Sequence, residues 1–163
     1  MKQKTKSLLI FILIIGLAFI TVVSYLSLNG AYTEFEYYWT YLCWKESNCH
    51  LYAVNTDSNA RGIAQITPLC LADCNRIYKE NYPNSKVPHW TVIDCYNEKE
   101  SQDMFILYTT YWLKKKNLPI TFENRARIWR GGPNGCEKEW TKEYWNDILE
   151  LGGNRVRKPE FQN

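Results

Sequence analysis

The sequence predicts a mainly α domain interrupted by a short irregular or β-hairpin stretch and preceded by one transmembrane helix. Three observations carry that prediction. Residues 8–28 form an almost unbroken apolar run, inside a stretch with no charged side chain between Lys6 and Glu34. From Glu36 onward, apolar residues recur at helical spacing behind recognisable helix-start residues. Between residues 48 and 66, Asn, Asp, Ser and Gly alternate with small and apolar positions, which suits turns and a hairpin better than a helix.

The apolar run comes first. At a rise of about 1.5 Å per residue it reaches roughly 30 Å, the hydrocarbon thickness of a bilayer. A cleavable signal peptide competes for the same residues, but its apolar core is usually only about 7 to 15 residues long and ends in a small-x-small site. Ser27-Leu28-Asn29-Gly30-Ala31 offers no clean site of that kind, so an uncleaved anchor is favoured. Lys2, Lys4 and Lys6 then keep residues 1–7 in the cytoplasm and send the remaining chain to the outer side as a single-pass membrane protein. Of 163 residues, 20 are Lys or Arg and 17 are Asp or Glu, a net charge of +3. Setting those three lysines aside leaves 17 basic against 17 acidic side chains. A net charge of zero over residues 7–163 gives no reason to expect a nucleic-acid partner, since phosphate binding needs a clustered basic surface.

The exported domain, 33–153, follows a short polar connector. Its first helix is expected over 36–47, with Tyr37, Tyr41 and Trp44 on one face and Trp39 off it. After the turn-rich stretch, Thr67-Pro68 reads as a cap followed by proline in the first turn, starting a helix that runs to about Glu80. Residues 81–88 read as a loop. Asn97 followed by Glu100 resembles a capping box, and Met104, Phe105, Tyr108, Tyr111 and Trp112 then share an apolar face. Lys114, Lys115 and Lys116 complement the C-terminal end of that helix. Thr121 can cap a shorter helix that stops at Gly131-Gly132-Pro133, and Thr141 can cap a last one ending at Gly152-Gly153. Residues 154–163 read as a flexible tail.

All six cysteines, Cys43, Cys49, Cys70, Cys74, Cys95 and Cys136, lie beyond the anchor, where disulfides form and persist. Up to three bridges are expected, with 15 connectivities open. Cys70 and Cys74 are poor partners for each other: one helical turn places their Cβ atoms about 5 to 6 Å apart, against the 3.5 to 4.5 Å or so of a disulfide. There is no Cys-x-x-Cys pair, and His50 and His89 stand alone, so no metal or cofactor is expected. Nor do these histidines have a Ser or carboxylate at a recognisable spacing for a hydrolytic triad.

Glu46 ends the first exported helix, next to Ser47 and flanked by Tyr41, Trp44 and Tyr52. A carboxylic acid held against apolar rings has its pKa raised, which is what a general acid needs near neutral pH. Two further segments follow in order: Gly62-Ile63-Ala64-Gln65-Ile66 with Thr67-Pro68, and Ala126-Arg127-Ile128-Trp129-Arg130-Gly131-Gly132-Pro133-Asn134-Gly135. The series resembles the lysozyme-like superfamily, most closely the soluble lytic transglycosylase type of peptidoglycan-cleaving domain. In that family a Glu-Ser pair ends the catalytic helix, a Gly-x-x-Gln segment lines the glycan cleft, and an Ala-x-Tyr-Asn-Gly-like segment closes it.

The resemblance implies a lysozyme-like fold and cleavage of the β-1,4 bond between N-acetylmuramic acid and N-acetylglucosamine in peptidoglycan glycan strands, with Glu46 as acid and then base. Ser47, Gln65 and Ile66 match positions that hold the acid or contact substrate, and Trp129 stands where Tyr is common. Arg130 takes the place of the usual Asn, and Asn48 follows Glu-Ser where Gly is common. Arg130 either pairs with Glu46, keeping it ionised, or binds a muropeptide carboxylate. A tight Arg130–Glu46 pair would suit a different protein: an inactive module that binds glycan or a partner in an envelope or secretion assembly. Ordinary glycosidases use two carboxylates, and Asp57 is the best-placed second one, although an Asx-type turn beside Ser58 and Asn59 explains it more simply. A single-Glu mechanism favours a transglycosylase over a hydrolase. Among the seven Trp and twelve Tyr, Trp129 is placed in the cleft, and Tyr108, Tyr111 and Trp112 in the core.

Overall fold

The computed structural model describes residues 15–17, 21, 34–86 and 89–154. The anchor expected over 8–28 and the tail beyond 154 lie outside the described residues, apart from helical residues 15–17 and 21. Among the described residues no helix is long and apolar enough to cross a membrane. The chain divides into two compact units, 1–37 and 38–163, and the second contains Glu46 and both of the segments that follow it in the motif series.

The frame is helical. The helix α1 (34–47) is followed by α2 (Pro68–Asn81), α3 (Glu98–Lys115), α4 (Phe122–Gly131) and α5 (Trp140–Asn154), with 3₁₀ turns at Asp94–Tyr96 and Gly135–Glu137. Helix α3 packs against α2 and α4, and α4 also packs against α5. Three of the expected caps form. The side chains of Thr67, Asn97 and Thr121 accept hydrogen bonds from the backbone N–H of Cys70, Glu100 and Asn124, satisfying donors that a helix leaves unpaired. The Glu100 carboxylate accepts the indole N–H of Trp90 at 2.7 Å.

Four expectations are corrected. Helix α1 turns Trp39, Leu42 and Cys43 inward, while Tyr37 is exposed and Tyr41 and Trp44 are only partly covered. Both sets obey a helical period, and the set carrying Leu42 is the one that meets the core. The hairpin is reduced to two isolated antiparallel bridges, Val54 with Arg61 and Arg61 with Ile66. Thr141 lies inside α5 rather than capping it. Its buried hydroxyl donates toward the carbonyls of Gly135 and Lys138 at 2.7 Å each and accepts from the Arg127 guanidinium at 3.2 Å. None of the expected disulfides, up to three, is formed: all six cysteines are free thiols. Cys74, Cys95 and Cys136 point their sulfurs at the backbone carbonyls of Met104, Thr91 and Asn124 instead.

The core is built from Trp39, Leu42, Ile66, Ile77, Met104, Phe105, Leu113, Ile128 and Ile148. Phe105 stands at its centre, with ring centroids 5.3 Å from Trp39, 5.6 Å from Phe122 and 5.2 Å from Trp129. Two glycines are required by close approach. A Cβ on Gly62, whose φ is +74°, would lie 1.6 Å from the carbonyl oxygen of Cys95, and one on Gly135 would lie 1.9 Å from that of Arg127.

Candidate active site

The buried stripe Trp39, Leu42, Cys43 of α1 continues one turn further to Glu46, so the same helical period that builds the core carries a carboxylate to its edge. Only 7% of the Glu46 side chain is exposed. The Tyr144 hydroxyl donates to its Oε1 at 2.6 Å, and Arg130 places a guanidinium nitrogen 3.9 Å from its Oε2. Burial raises the Glu46 pKa, against the opposing pull of the Tyr144 hydrogen bond and then of the Arg130 and Lys45 charges. Burial, and after it the Glu46 charge, likewise push the Tyr144 phenol well up, so it remains a donor. The Lys45 ammonium is engaged elsewhere, 2.5 Å from Asp147.

The segment 62–66 is clamped between the helices that carry the other motifs. Ser47 Oγ donates to the carbonyl of Ile63 at 2.8 Å, and Trp129 Nε1 to that of Ala64 at 3.0 Å. The hydroxyl of Ser47 also accepts from the backbone N–H of His50 at 3.2 Å. Gln65 holds a left-handed backbone, φ +52°, that side-chain-bearing residues seldom adopt, and its amide donates to the Gly62 carbonyl at 3.0 Å. That turn sends Gln65 into the cavity and Ile66, 2% exposed, into the core. Ile66 is therefore a packing residue and does not face a ligand.

Glu46 opens on a cavity of about 260 Å³ shared with Lys45, Asn55, Ser58, Gln65, Thr67, Arg130 and Tyr144. Thr67 and Arg130 also line a neighbouring groove of about 610 Å³, which adds Leu69, Tyr108, Trp129, Gly132 and Pro133. The two cavities adjoin at Thr67 and Arg130, a polar pocket at the carboxylate beside an apolar, aromatic groove. Tyr108, which helical spacing places in the core, thus also borders the groove. Asp57 is exposed and does not line the pocket, where Glu46 is the one carboxylate among the described residues. The turn expected of Asp57 is made by Asn55, whose Oδ1 accepts from the backbone N–H groups of Asp57 at 3.0 Å and Ser58 at 3.1 Å.

Sequence reasoning misses Tyr144 and Asn55. Tyr144 belongs to the buried stripe Thr141, Tyr144, Ile148 of α5. A polar-tipped ring on an inward stripe is a legible signal for a buried hydrogen bond, but its partner lies 98 residues away.

A buried carboxylic acid whose pKa is raised, beside an open cleft, can deliver a proton to a leaving oxygen and take one back as a base. No protein-family model matches the chain, and no curated protein matches it. Solved structures do. A structure of Aeromonas hydrophila PliI in complex with Meretrix lusoria lysozyme matches at 26% identity and TM-score 0.57, over 72% of this chain and 89% of that one. Inhibitor-bound lysozyme from Meretrix lusoria matches at 24% identity and TM-score 0.58, over 72% and 89%. Tapes japonica lysozyme matches at 23% identity and TM-score 0.55, over 69% and 85%. The helical fold is shared with these lysozymes, and the chain is lysozyme-like.

Proposed function

We propose that this protein is a peptidoglycan-cleaving glycosidase of the lytic transglycosylase type, acting on the β-1,4 bond between N-acetylmuramic acid and N-acetylglucosamine. The observation that carries this reading is the burial of Glu46, which raises its pKa in spite of Arg130. Protonated Glu46 gives its proton to the glycosidic oxygen as the bond to the anomeric carbon breaks. The resulting carboxylate then takes the proton of the sugar's own 6-hydroxyl as that oxygen attacks, leaving a 1,6-anhydro end. Tyr144 orients the acid, Ser47 and Trp129 hold the 62–66 segment against it, and Gln65, Asn55 and Ser58 offer polar atoms to the sugar. A single carboxylate lining the pocket, among the described residues, supports the intramolecular acceptor.

The lysozyme neighbours favour a second reading, in which water replaces the 6-hydroxyl and the product is a reducing end. An inactive binding module fits less well, because the Arg130–Glu46 contact, at 3.9 Å with Arg130 52% exposed, is loose. For location we propose the arrangement expected from the sequence: residues 8–28 as an anchor, the N-terminus cytoplasmic, and the domain facing the wall on the extracytoplasmic side.

The test is to incubate the full-length protein with purified sacculi and identify the fragments by mass spectrometry, beside a Glu46→Gln control. Anhydro-muramic ends support the transglycosylase, and reducing ends the hydrolase. Equal release by wild type and Glu46→Gln would overturn both.

A further inference from the structure

The least committed charge at the site is Arg130. Its side chain is half exposed and lines both the pocket and the aromatic groove. The guanidinium lies 5.6 Å from the Tyr144 ring centroid, within cation–π range. Its ion pair with Glu46 is long, at 3.9 Å, and that carboxylate has to be neutral to act as an acid. Asp73, also on the groove, is taken by Arg76 at 2.6 Å and by the Trp112 indole at 3.2 Å. When Glu46 is protonated, Arg130 therefore faces the cleft with no carboxylate within pairing distance among the described residues.

A planar guanidinium at the edge of an open cleft is suited to bidentate binding of a ligand carboxylate. Resting on the peptidoglycan reading above, we propose that Arg130 is a specificity-determining residue that binds a carboxylate of the glycan ligand and selects anionic muramyl strands over neutral chitin-type oligosaccharides. The carboxylate comes either from the lactyl group of an unsubstituted muramic acid or from a stem peptide. Both present the same charge to Arg130.

Titration calorimetry on full-length Glu46→Gln, with and without Arg130→Gln, tests the proposal. Three tetrasaccharides serve as probes: alternating N-acetylglucosamine and N-acetylmuramic acid without stems, the same with stem peptides, and chitotetraose. Losing a charge-assisted contact weakens binding by about 10-fold or more. That loss is expected for one or both carboxylate ligands, and whichever shows it names the source, while chitotetraose stays within about twofold, the size of an ordinary surface substitution. Equal weakening of all three, or of none, overturns the proposal. If that happens while the wild type still cleaves sacculi, the glycosidase reading stands and only the role of Arg130 falls. If nothing binds and sacculi remain intact, both fall.

Discussion

Replacing Tyr144 by Phe removes one oxygen and leaves the ring, which is 6% exposed and sits in the packed face of α5. The oxygen it removes donates the 2.6 Å hydrogen bond to Glu46. A hydrogen bond to a charged group is worth about 1.5–3 kcal/mol and one between neutral groups about 1 kcal/mol. The ionised form of Glu46 therefore loses roughly 0.5–2 kcal/mol more than the protonated form, which displaces its proton equilibrium by about 2- to 30-fold toward the acid. The glycosidase needs protonated Glu46 to begin, so the alkaline limb of the kcat/KM profile should move to higher pH in Tyr144→Phe. The maximum rate should fall, because the carboxyl is less well oriented. The assay is initial-rate turbidity loss of purified sacculi from pH 4 to 9, with wild type and variant matched for folding by circular dichroism. A limb that moves to lower pH, or stays in place while the rate falls, would refute the claim that the Tyr144 hydroxyl stabilises the Glu46 anion.

Glu46→Gln should cut turnover by about 10²–10⁴-fold, the usual contribution of a general acid, and it should also stabilise the fold at alkaline pH. Because the folded-state pKa of Glu46 is raised, the native protein holds that proton to higher pH than the unfolded chain does. The favourable contribution is complete below the unfolded value and is lost as pH rises through the folded one. Calorimetric Tm at pH 8 should consequently favour the Gln variant more than Tm at pH 4 does, and the reverse order would contradict the burial argument. Gly62→Ala should destabilise by about 2–4 kcal/mol in urea titration, since its Cβ cannot share space with the Cys95 carbonyl. Asp57→Asn should alter kcat/KM by no more than about twofold, the size of an ordinary surface effect, and a loss of about 100-fold would instead restore a two-carboxylate mechanism.

The features legible in the sequence are those that local chemistry dictates. Thr67, Asn97 and Thr121 cap their helices because a short polar side chain next to an unpaired N–H has one obvious use. The ordered motifs are stitched together in space, since Ser47 and Trp129 grip neighbouring carbonyls of one segment. The misreadings share a cause. Thr141 has the right residue type for a cap, but tertiary partners on Gly135 and Arg127 claim its hydroxyl. Aromatic density points to the wrong face of α1, because it outweighs the smaller Leu42 and Cys43, which the rest of the core selects. Ile66 follows Gln65 in the motif, but the positive φ at Gln65 turns the two side chains to opposite destinations. Each of these depends on contacts between distant segments, which spacing along the chain does not encode.

The Arg130 substitution shows why distance and exposure have to be weighed before a charge is assigned an effect. A guanidinium where Asn is common looks, on paper, like a device for keeping Glu46 ionised. Two unit charges about 4 Å apart attract by about 1 kcal/mol in bulk water and about 4 kcal/mol at an effective dielectric of 20. Arg130 is half in solvent and 3.9 Å away, which places it toward the weaker end. Lys45 contributes less still, because Asp147 neutralises it at 2.5 Å. Removal of water from the carboxylate faces no such discount, since the Glu46 side chain is almost wholly covered, and it prevails over both cations and the Tyr144 bond together. The same looseness that lets burial hold the Glu46 pKa up leaves Arg130 available to another carboxylate, and the proposed role of Arg130 in choosing the substrate rests on that arrangement.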